Sequence, residues 1–147
     1  MAEWAYFDTS VIVKRYVQEI ESPWARKMLR RYRIVTSAIA PVEAVSALCR
    51  RRSLGELTHE DFDAIAARFR ADRDYWELVE VGSEVLTRAE DLLRHAPVRT
   101  LDALHLASAL LFQEEAGIGL PFVTADRKQG AAASSLNLRI VQMGDRS

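Results

Sequence analysis

Residues 2–8 read Ala-Glu-Trp-Ala-Tyr-Phe-Asp, and this stretch decides how the rest of the chain is interpreted. Trp4, Tyr6 and Phe7 favour β-structure and stand in a short apolar run, which predicts a buried strand. The next five residues, Thr-Ser-Val-Ile-Val, begin a helical pattern. Asp8 therefore stands between a strand and a helix, where open α/β sheets bind their ligands. The alternative is that Asp8 only caps the helix, a position that Asp favours.

The composition limits the classes of protein that the chain can represent. Its 147 residues suit one domain, which we predict to span residues 1–147. A formal net charge of -1 excludes a strongly basic protein, so phosphate affinity has to come from local patches or bound metal. A single cysteine excludes an intrachain disulfide, and no Cys/His zinc pattern is present. Because no signal-peptide layout or membrane-spanning run is found, we expect a cytoplasmic protein without membrane contact.

Predicted strands and helices alternate along the whole chain. Four further strands are predicted at residues 33–37, 75–81, 121–125 and 138–143. Helices are predicted from residue 9 to about 32 with a break at Ser22-Pro23, then at 41–52, from Thr58 to about 72, at 84–95 and 101–116, with a short Ala-rich helix after 126. Thr58, Ser83 and Thr100 are predicted helix caps. The alternation predicts an α/β fold with a central parallel β-sheet of four to five strands and helices on both faces.

Four carboxylates occupy comparable positions in this pattern. Asp8 ends the first strand and Asp126 ends the fourth, while Glu43 lies in the first turn of the helix after the second strand. Because the carboxyl ends of parallel strands and the amino ends of the following helices share one edge, we expect these three acids there. Asp102 lies in the first turn of the long apolar helix at 101–116, whose direction is left open because it follows another helix.

Each of these acids also has an ordinary explanation, since acids favour helix amino ends and turns. The apolar neighbours of Glu43 and Asp102 argue against it, because carboxylates in such surroundings are costly unless paired or metal-bound. Acids that converge at one edge also repel and raise each other's pKa unless a cation neutralises them. Mg²⁺ and Mn²⁺ are the hard cations that suit such ligands, and they support phosphodiester hydrolysis. The sequence offers no evident serine or cysteine triad.

Taken in order, the motifs resemble a known family. They are Asp-Thr-Ser at 8–10, Pro-Val-Glu at 41–43, Leu-Asp-Ala-Leu-His-Leu-Ala at 101–107 and Val-Thr-Ala-Asp at 123–126. This arrangement resembles the PIN-domain nucleases and, among them, the VapC toxins of bacterial and archaeal toxin–antitoxin pairs, over essentially the whole chain. The resemblance implies a PIN-like fold, Mg²⁺- or Mn²⁺-dependent endoribonuclease activity on RNA, a homodimer and a cognate VapB-like antitoxin. It also implies an acidic metal-binding quartet, formed here by Asp8, Glu43, Asp102 and Asp126.

Further residues are candidates for supporting roles. The resemblance implies that Ser10 or Thr124 assists at the site through its hydroxyl or through a metal-bound water. Arg127-Lys128 directly follow the last acid of the quartet, so we predict that they contact substrate phosphate, Arg127 first, with Arg99 a weaker candidate. His105 stands one turn after an acid, a spacing found in some metal sites, but a packed helix histidine is favoured.

Two other functions are compatible with parts of the sequence. A phosphotransferase of the haloacid-dehalogenase type also carries an Asp at the tip of its first strand. That site normally has a second Asp two residues on, where this chain has Ser10, which argues against it. A catalytically silent PIN-fold module that binds RNA or protein would keep the fold without the chemistry, and metal binding distinguishes it from the enzyme.

Overall fold

The structure, a computed structural model, describes residues 2–143. Within that range five parallel strands form one sheet in the order β3-β2-β1-β4-β5, which confirms the predicted parallel sheet. The strands are β1 (Trp4–Phe7), β2 (Arg33–Ser37), β3 (Glu77–Val79), β4 (Pro121–Thr124) and β5 (Arg139–Gln142). The helices are α1 (Thr9–Tyr16), α2 (Ser22–Arg31), α3 (Ala40–Ser53), α4 (His59–Arg73), α5 (Ser83–His95), α6 (Thr100–Ala116) and α7 (Arg127–Ser135).

The central strand β1 divides the core into two apolar clusters. Ala5 and Phe7 belong to the cluster that also contains residues of α1, α2 and α3. Tyr6 belongs to the cluster formed with residues of α5, α6 and α7. Since side chains alternate along a strand, the two clusters lie on opposite faces of the sheet. The prediction of helices on both faces is therefore confirmed.

The order of the strands creates a switch point beside β1. From β1 the chain moves outward through β2 to β3, and it returns to the other side of β1 with β4 and β5. In open α/β sheets, ligands bind outside the carboxyl ends of the strands where the order reverses. In this fold that place lies between the end of β1, which Asp8 directly follows, and the end of β4, which Asp126 follows by two residues.

Helix α6 is the buried apolar helix that the sequence predicts. Its residues Ala103 and His105–Leu110 are buried, and it packs against α5. It ends at Gly117, whose φ of 65° is the left-handed conformation that glycine adopts without strain. None of the helices in residues 2–143 combines the length and apolar character needed to cross a membrane.

Some predicted boundaries were wrong. The third strand was predicted at 75–81 but spans only Glu77–Val79. The backbone N–H groups of Tyr75 and Trp76 donate instead to the carbonyls of Asp72 and Arg73, which forms a turn after α4. The first helix was predicted to reach the Ser22-Pro23 break, but α1 ends at Tyr16.

One of the three predicted helix caps is confirmed, and the other two were wrong. Thr58 caps α4 as predicted, because its hydroxyl accepts a hydrogen bond from the Asp61 N–H at 3.0 Å. Ser83 and Thr100 were wrongly predicted as caps, since each is the first residue of its helix and the residue before it makes no side-chain cap bond. Both helices are fixed by apolar packing rather than by a cap.

Candidate active site

Asp8 lies at the carboxyl end of β1 and is the N-cap of α1. Its side chain is buried, with a residue exposure of 6%. One carboxylate oxygen accepts hydrogen bonds from the Val11 N–H at 3.3 Å and from the Ser10 hydroxyl. The other oxygen accepts from the Thr124 hydroxyl. Burial raises the pKa of Asp8, and these hydrogen bonds, together with the charge of His105, offset part of that rise.

Asp126 lies at the carboxyl end of β4 and is the N-cap of α7. Its Oδ1 accepts from the N–H groups of Lys128 at 2.9 Å and Gln129 at 3.4 Å. Its own N–H donates to the Thr124 hydroxyl oxygen at 3.0 Å. Thr124 thus contacts Asp8 through its hydroxyl proton and Asp126 through its oxygen, so it connects the ends of the two strands.

Glu43 lies in the first turn of α3 and is half-buried. Its Oε1 accepts a hydrogen bond from His105 Nε2 at 2.7 Å and one from the Thr9 hydroxyl at 2.8 Å. Burial alone raises the pKa of Glu43, but the hydrogen bond and charge of His105 and the bond from Thr9 outweigh it. The pKa of Glu43 therefore lies below its ordinary value, and this group is held as a carboxylate.

His105 is fixed on both sides of its ring. Its Nε2 faces Glu43 and also lies 3.1 Å from the Thr9 hydroxyl, while its Nδ1 lies 2.7 Å from the hydroxyl of Tyr6. Burial raises the pKa of Tyr6 well above its ordinary value, so the phenol keeps its proton. A phenol can donate to Nδ1 of a neutral ring or accept from a protonated one, so Tyr6 orients His105 in either state.

Three of the four predicted acids line one cavity of about 640 Å³. Glu43, Asp102 and Asp126 line it, together with the cations of Arg99 and Lys128 and the buried Gln129. Asp102 is half-buried in the first turn of α6. The direction of α6 thus brings Asp102 to the same edge as the others. Asp8 does not line the cavity, and its carboxylate is linked to Asp126 through the hydroxyl of Thr124.

Ser10, Thr124 and Arg127, the three residues predicted to contact substrate, lie in different surroundings. Ser10 and Thr124 direct their hydroxyl protons at the carboxylate of Asp8. Arg127 is exposed and does not line the cavity, whereas its neighbour Lys128 does. A contact of these three residues with substrate stays a prediction.

Sequence reasoning missed four residues of this site. They are Tyr6, Thr9, His105 and Gln129, which hold the acids or line the cavity. His105 is buried in α6, which agrees with its interpretation as a packed histidine, and its ring also contacts Glu43 across the site. The signal that could have identified it is an ionisable ring in an apolar helix, which is costly without a partner.

The donor chemistry of the site fits a hard divalent cation. All four predicted ligands are carboxylates, and three share one cavity. The four carboxylates do not surround a common point, however. Within residues 2–143, no three Asp, Glu, His or Cys side chains lie close enough to hold one ion. The pKa values of the acids do not show the rise by mutual repulsion that the sequence predicted. The pKa of Asp8 is raised by burial, and the pKa of Glu43 is lowered.

Comparisons with known proteins agree with this fold. The PIN domain family matches residues 5–134. Ribonuclease VapC46 of Mycobacterium tuberculosis (strain ATCC 25618 / H37Rv) is 34% identical over 138 residues, which cover 92% of this chain and 95% of that protein.

Among solved structures, the similarity lies in the fold. A toxin–antitoxin complex from Klebsiella pneumoniae has a TM-score of 0.67 at 18% identity and covers 93% of this chain and 95% of its own. FitAcB from Neisseria gonorrhoeae has a TM-score of 0.66 at 13% identity, with coverages of 92% and 95%. VapBC2 from Rickettsia felis, bound to a DNA fragment from its promoter, has a TM-score of 0.63 at 12% identity, with coverages of 94% and 97%.

Proposed function

The chain belongs to the PIN domain family, and from that premise we propose that it is a VapC-type endoribonuclease, the toxin of a toxin–antitoxin pair. The observation that carries the proposal is the 34% identity to a ribonuclease over 92% of the chain. The acid-lined cavity at the switch point of the sheet supports it, because a parallel α/β sheet binds its ligands there. The reaction is hydrolysis of RNA phosphodiester bonds.

Asp8, Glu43, Asp102 and Asp126 are the residues that would hold Mg²⁺ or Mn²⁺ in this enzyme. When bound, such a cation supplies Lewis-acid stabilisation of the negative charge that develops on the phosphate. The four acids supply only oxygen donors, and these are the ligands that both cations prefer. A buried carboxylate such as Asp8 is also the group whose ionised form gains most from a nearby positive charge.

The side chains around the acids set their directions. Ser10 and Thr124 each donate to a different oxygen of Asp8, so its carboxylate cannot rotate freely. His105 and Thr9 both donate to Oε1 of Glu43, and neither contacts its Oε2. One carboxylate oxygen of Glu43 is therefore held by hydrogen bonds, while the other is left without either of them.

Two cationic side chains at the cavity are suited to binding phosphates of the RNA backbone. Arg99 and Lys128 line it, and neither makes an ion pair within residues 2–143. Phosphate contacts from such side chains position the substrate without reading its sequence. Arg127, exposed beside Lys128, is a candidate for a neighbouring phosphate of the same strand.

The partners form part of the same proposal. The solved relatives include toxin–antitoxin complexes, and we propose that a cognate VapB-like antitoxin binds this chain and inhibits it. We also propose a homodimer. Exposed apolar side chains at Leu86 and Leu93 of α5 support it, since a second copy would cover them. Sedimentation of the purified chain measures this directly, and a monomer at high micromolar concentration would contradict the homodimer.

The experiment that tests the activity is cleavage of total RNA by the purified protein with Mg²⁺, with Mn²⁺ and with EDTA. We expect cuts at defined positions with either cation and none with EDTA. Cleavage that persists unchanged in EDTA would contradict the metal-dependent mechanism.

A catalytically silent module that binds RNA or protein is the second candidate function. The observation that favours it is that the acids are not closed around one point in residues 2–143. Calorimetry with Mn²⁺ separates the two functions. Mn²⁺ binding together with RNA cleavage supports the enzyme. RNA binding without Mn²⁺ binding and without cleavage would make the silent module the better account.

A further inference from the structure

Gln129 is hydrogen-bonded to the turns that carry two of the acids. It lies in the first turn of α7 and is only 2% exposed. Its backbone N–H donates to Oδ1 of Asp126 at 3.4 Å, and its side-chain Nε2 donates to the backbone carbonyl of Asp102 at 3.2 Å. Since a carbonyl only accepts, the amide nitrogen has to face Asp102, and Oε1 has to point away from it.

The amide oxygen of Gln129 is buried and has no hydrogen-bond partner among residues 2–143. Nearly all buried polar groups in proteins are hydrogen-bonded, and an unpaired acceptor costs stability. A methionine fills almost the same space without that unpaired oxygen. The cost of the unpaired oxygen offsets the gain from the bond to the Asp102 carbonyl, so stability alone does not require a glutamine at this position.

We propose that Gln129 is a positioning residue that holds the first turn of α6 against the first turn of α7, so that Asp102 and Asp126 face one cavity. The inference rests on the proposed function, because it concerns the acids that would hold the cation. Partners of this kind orient metal ligands without touching the metal, and their loss weakens metal binding. The bond to Asp102 spans 27 residues of sequence and joins the two helices at the site.

The test is calorimetric titration of the whole chain with Mn²⁺, combined with its thermal unfolding in EDTA. We expect Gln129→Met to weaken Mn²⁺ binding by about 10- to 100-fold while leaving Tm unchanged or raised. We expect Gln129→Glu to weaken it as well, because the new carboxylate has no N–H and repels the Asp102 carbonyl. The matched control is Gln18→Met, at an exposed glutamine hydrogen-bonded to Arg26, which should change neither quantity.

The alternatives give different results. Wild-type Mn²⁺ affinity in Gln129→Met would overturn the inference, and so would weaker binding accompanied by a lower Tm, which indicates a structural role. Tighter binding by Gln129→Glu would overturn it too, because that result makes residue 129 a direct ligand. Absence of Mn²⁺ binding by the wild-type protein would overturn the proposed function and this inference together, whereas the other results leave the function standing.

Discussion

Asp8 shows how far a single residue can be understood from the sequence. Its place between a strand and a helix was predicted, and it caps α1 as well as ending β1. The hydroxyl of Ser10 is close in sequence, so its bond to Asp8 could be anticipated. Thr124 lies 116 residues away and reaches Asp8 only because β4 pairs with β1. That contact depends on strand order, which no local pattern encodes.

The raised pKa of Asp8 gives a pH-dependent prediction for stability. Because the folded pKa lies above the ordinary value of 3.8, the stability from this group is full below 3.8 and is lost as the pH rises through the folded pKa. Asparagine does not ionise, so we expect Asp8→Asn to raise the Tm of the metal-free protein at neutral pH. The difference from wild type should shrink as the pH falls toward 3.8.

Calorimetric unfolding in EDTA over a pH series measures this difference. The matched control is Asp63→Asn, at an exposed residue of α4, which should show no such pH-dependent gain. If Asp8→Asn is less stable than wild type at neutral pH, burial does not destabilise the ionised form of Asp8 as proposed.

Thr9 gives a second prediction at the residue scale. Its hydroxyl donates to Glu43 and lies within hydrogen-bond distance of His105. Thr9→Val keeps the shape of the side chain but removes the hydroxyl, so we expect RNA cleavage to fall by about 10- to 100-fold. Thr9→Ser keeps the hydroxyl and should retain most of the activity. Equal rates for the two variants, measured at saturating Mn²⁺, would count against a positioning role for this bond.

The elements were predicted better than their ends. The residues of β2 match the prediction, and those of β4, β5 and α6 differ from it by one residue at each end at most. These segments have strong periodicity and clear breakers. Strand β3 was predicted too long because Tyr75 and Trp76 extend its alternating pattern, yet they form a turn.

The end of α6 gives a prediction at the scale of an element. Gly117 has a φ of 65°, where an added Cβ is strained, although no atom lies within 4 Å of it. We expect Gly117→Ala to lower the free energy of unfolding by about 1–2 kcal/mol. Gly119→Ala is the control, because that position is equally open and its φ is not positive. Urea denaturation of both variants measures the difference, and equal losses would contradict a conformational cause.

At the scale of the whole molecule, the sequence predicted that Asp8, Glu43 and Asp126 lie at the same edge of the sheet. The alternation of strands and helices was enough for that, because parallel strands place their carboxyl ends together. It could not predict the interior of the site. The bonds of His105 to Tyr6 and Glu43 join residues 99 and 62 positions apart, and they exist only once α6 packs over the sheet. The same packing brings Asp102 to the cavity.

The central claim is that the acids at this edge cleave RNA, and the most direct measurement compares two matched variants in one assay. Wild type, Asp8→Asn and the exposed control Asp63→Asn are incubated with total RNA and Mn²⁺, and their folding is checked by circular dichroism. We predict the same cut positions for wild type and Asp63→Asn, and a loss of at least about 100-fold in Asp8→Asn without loss of fold. Cleavage by folded Asp8→Asn at the wild-type rate would contradict the account.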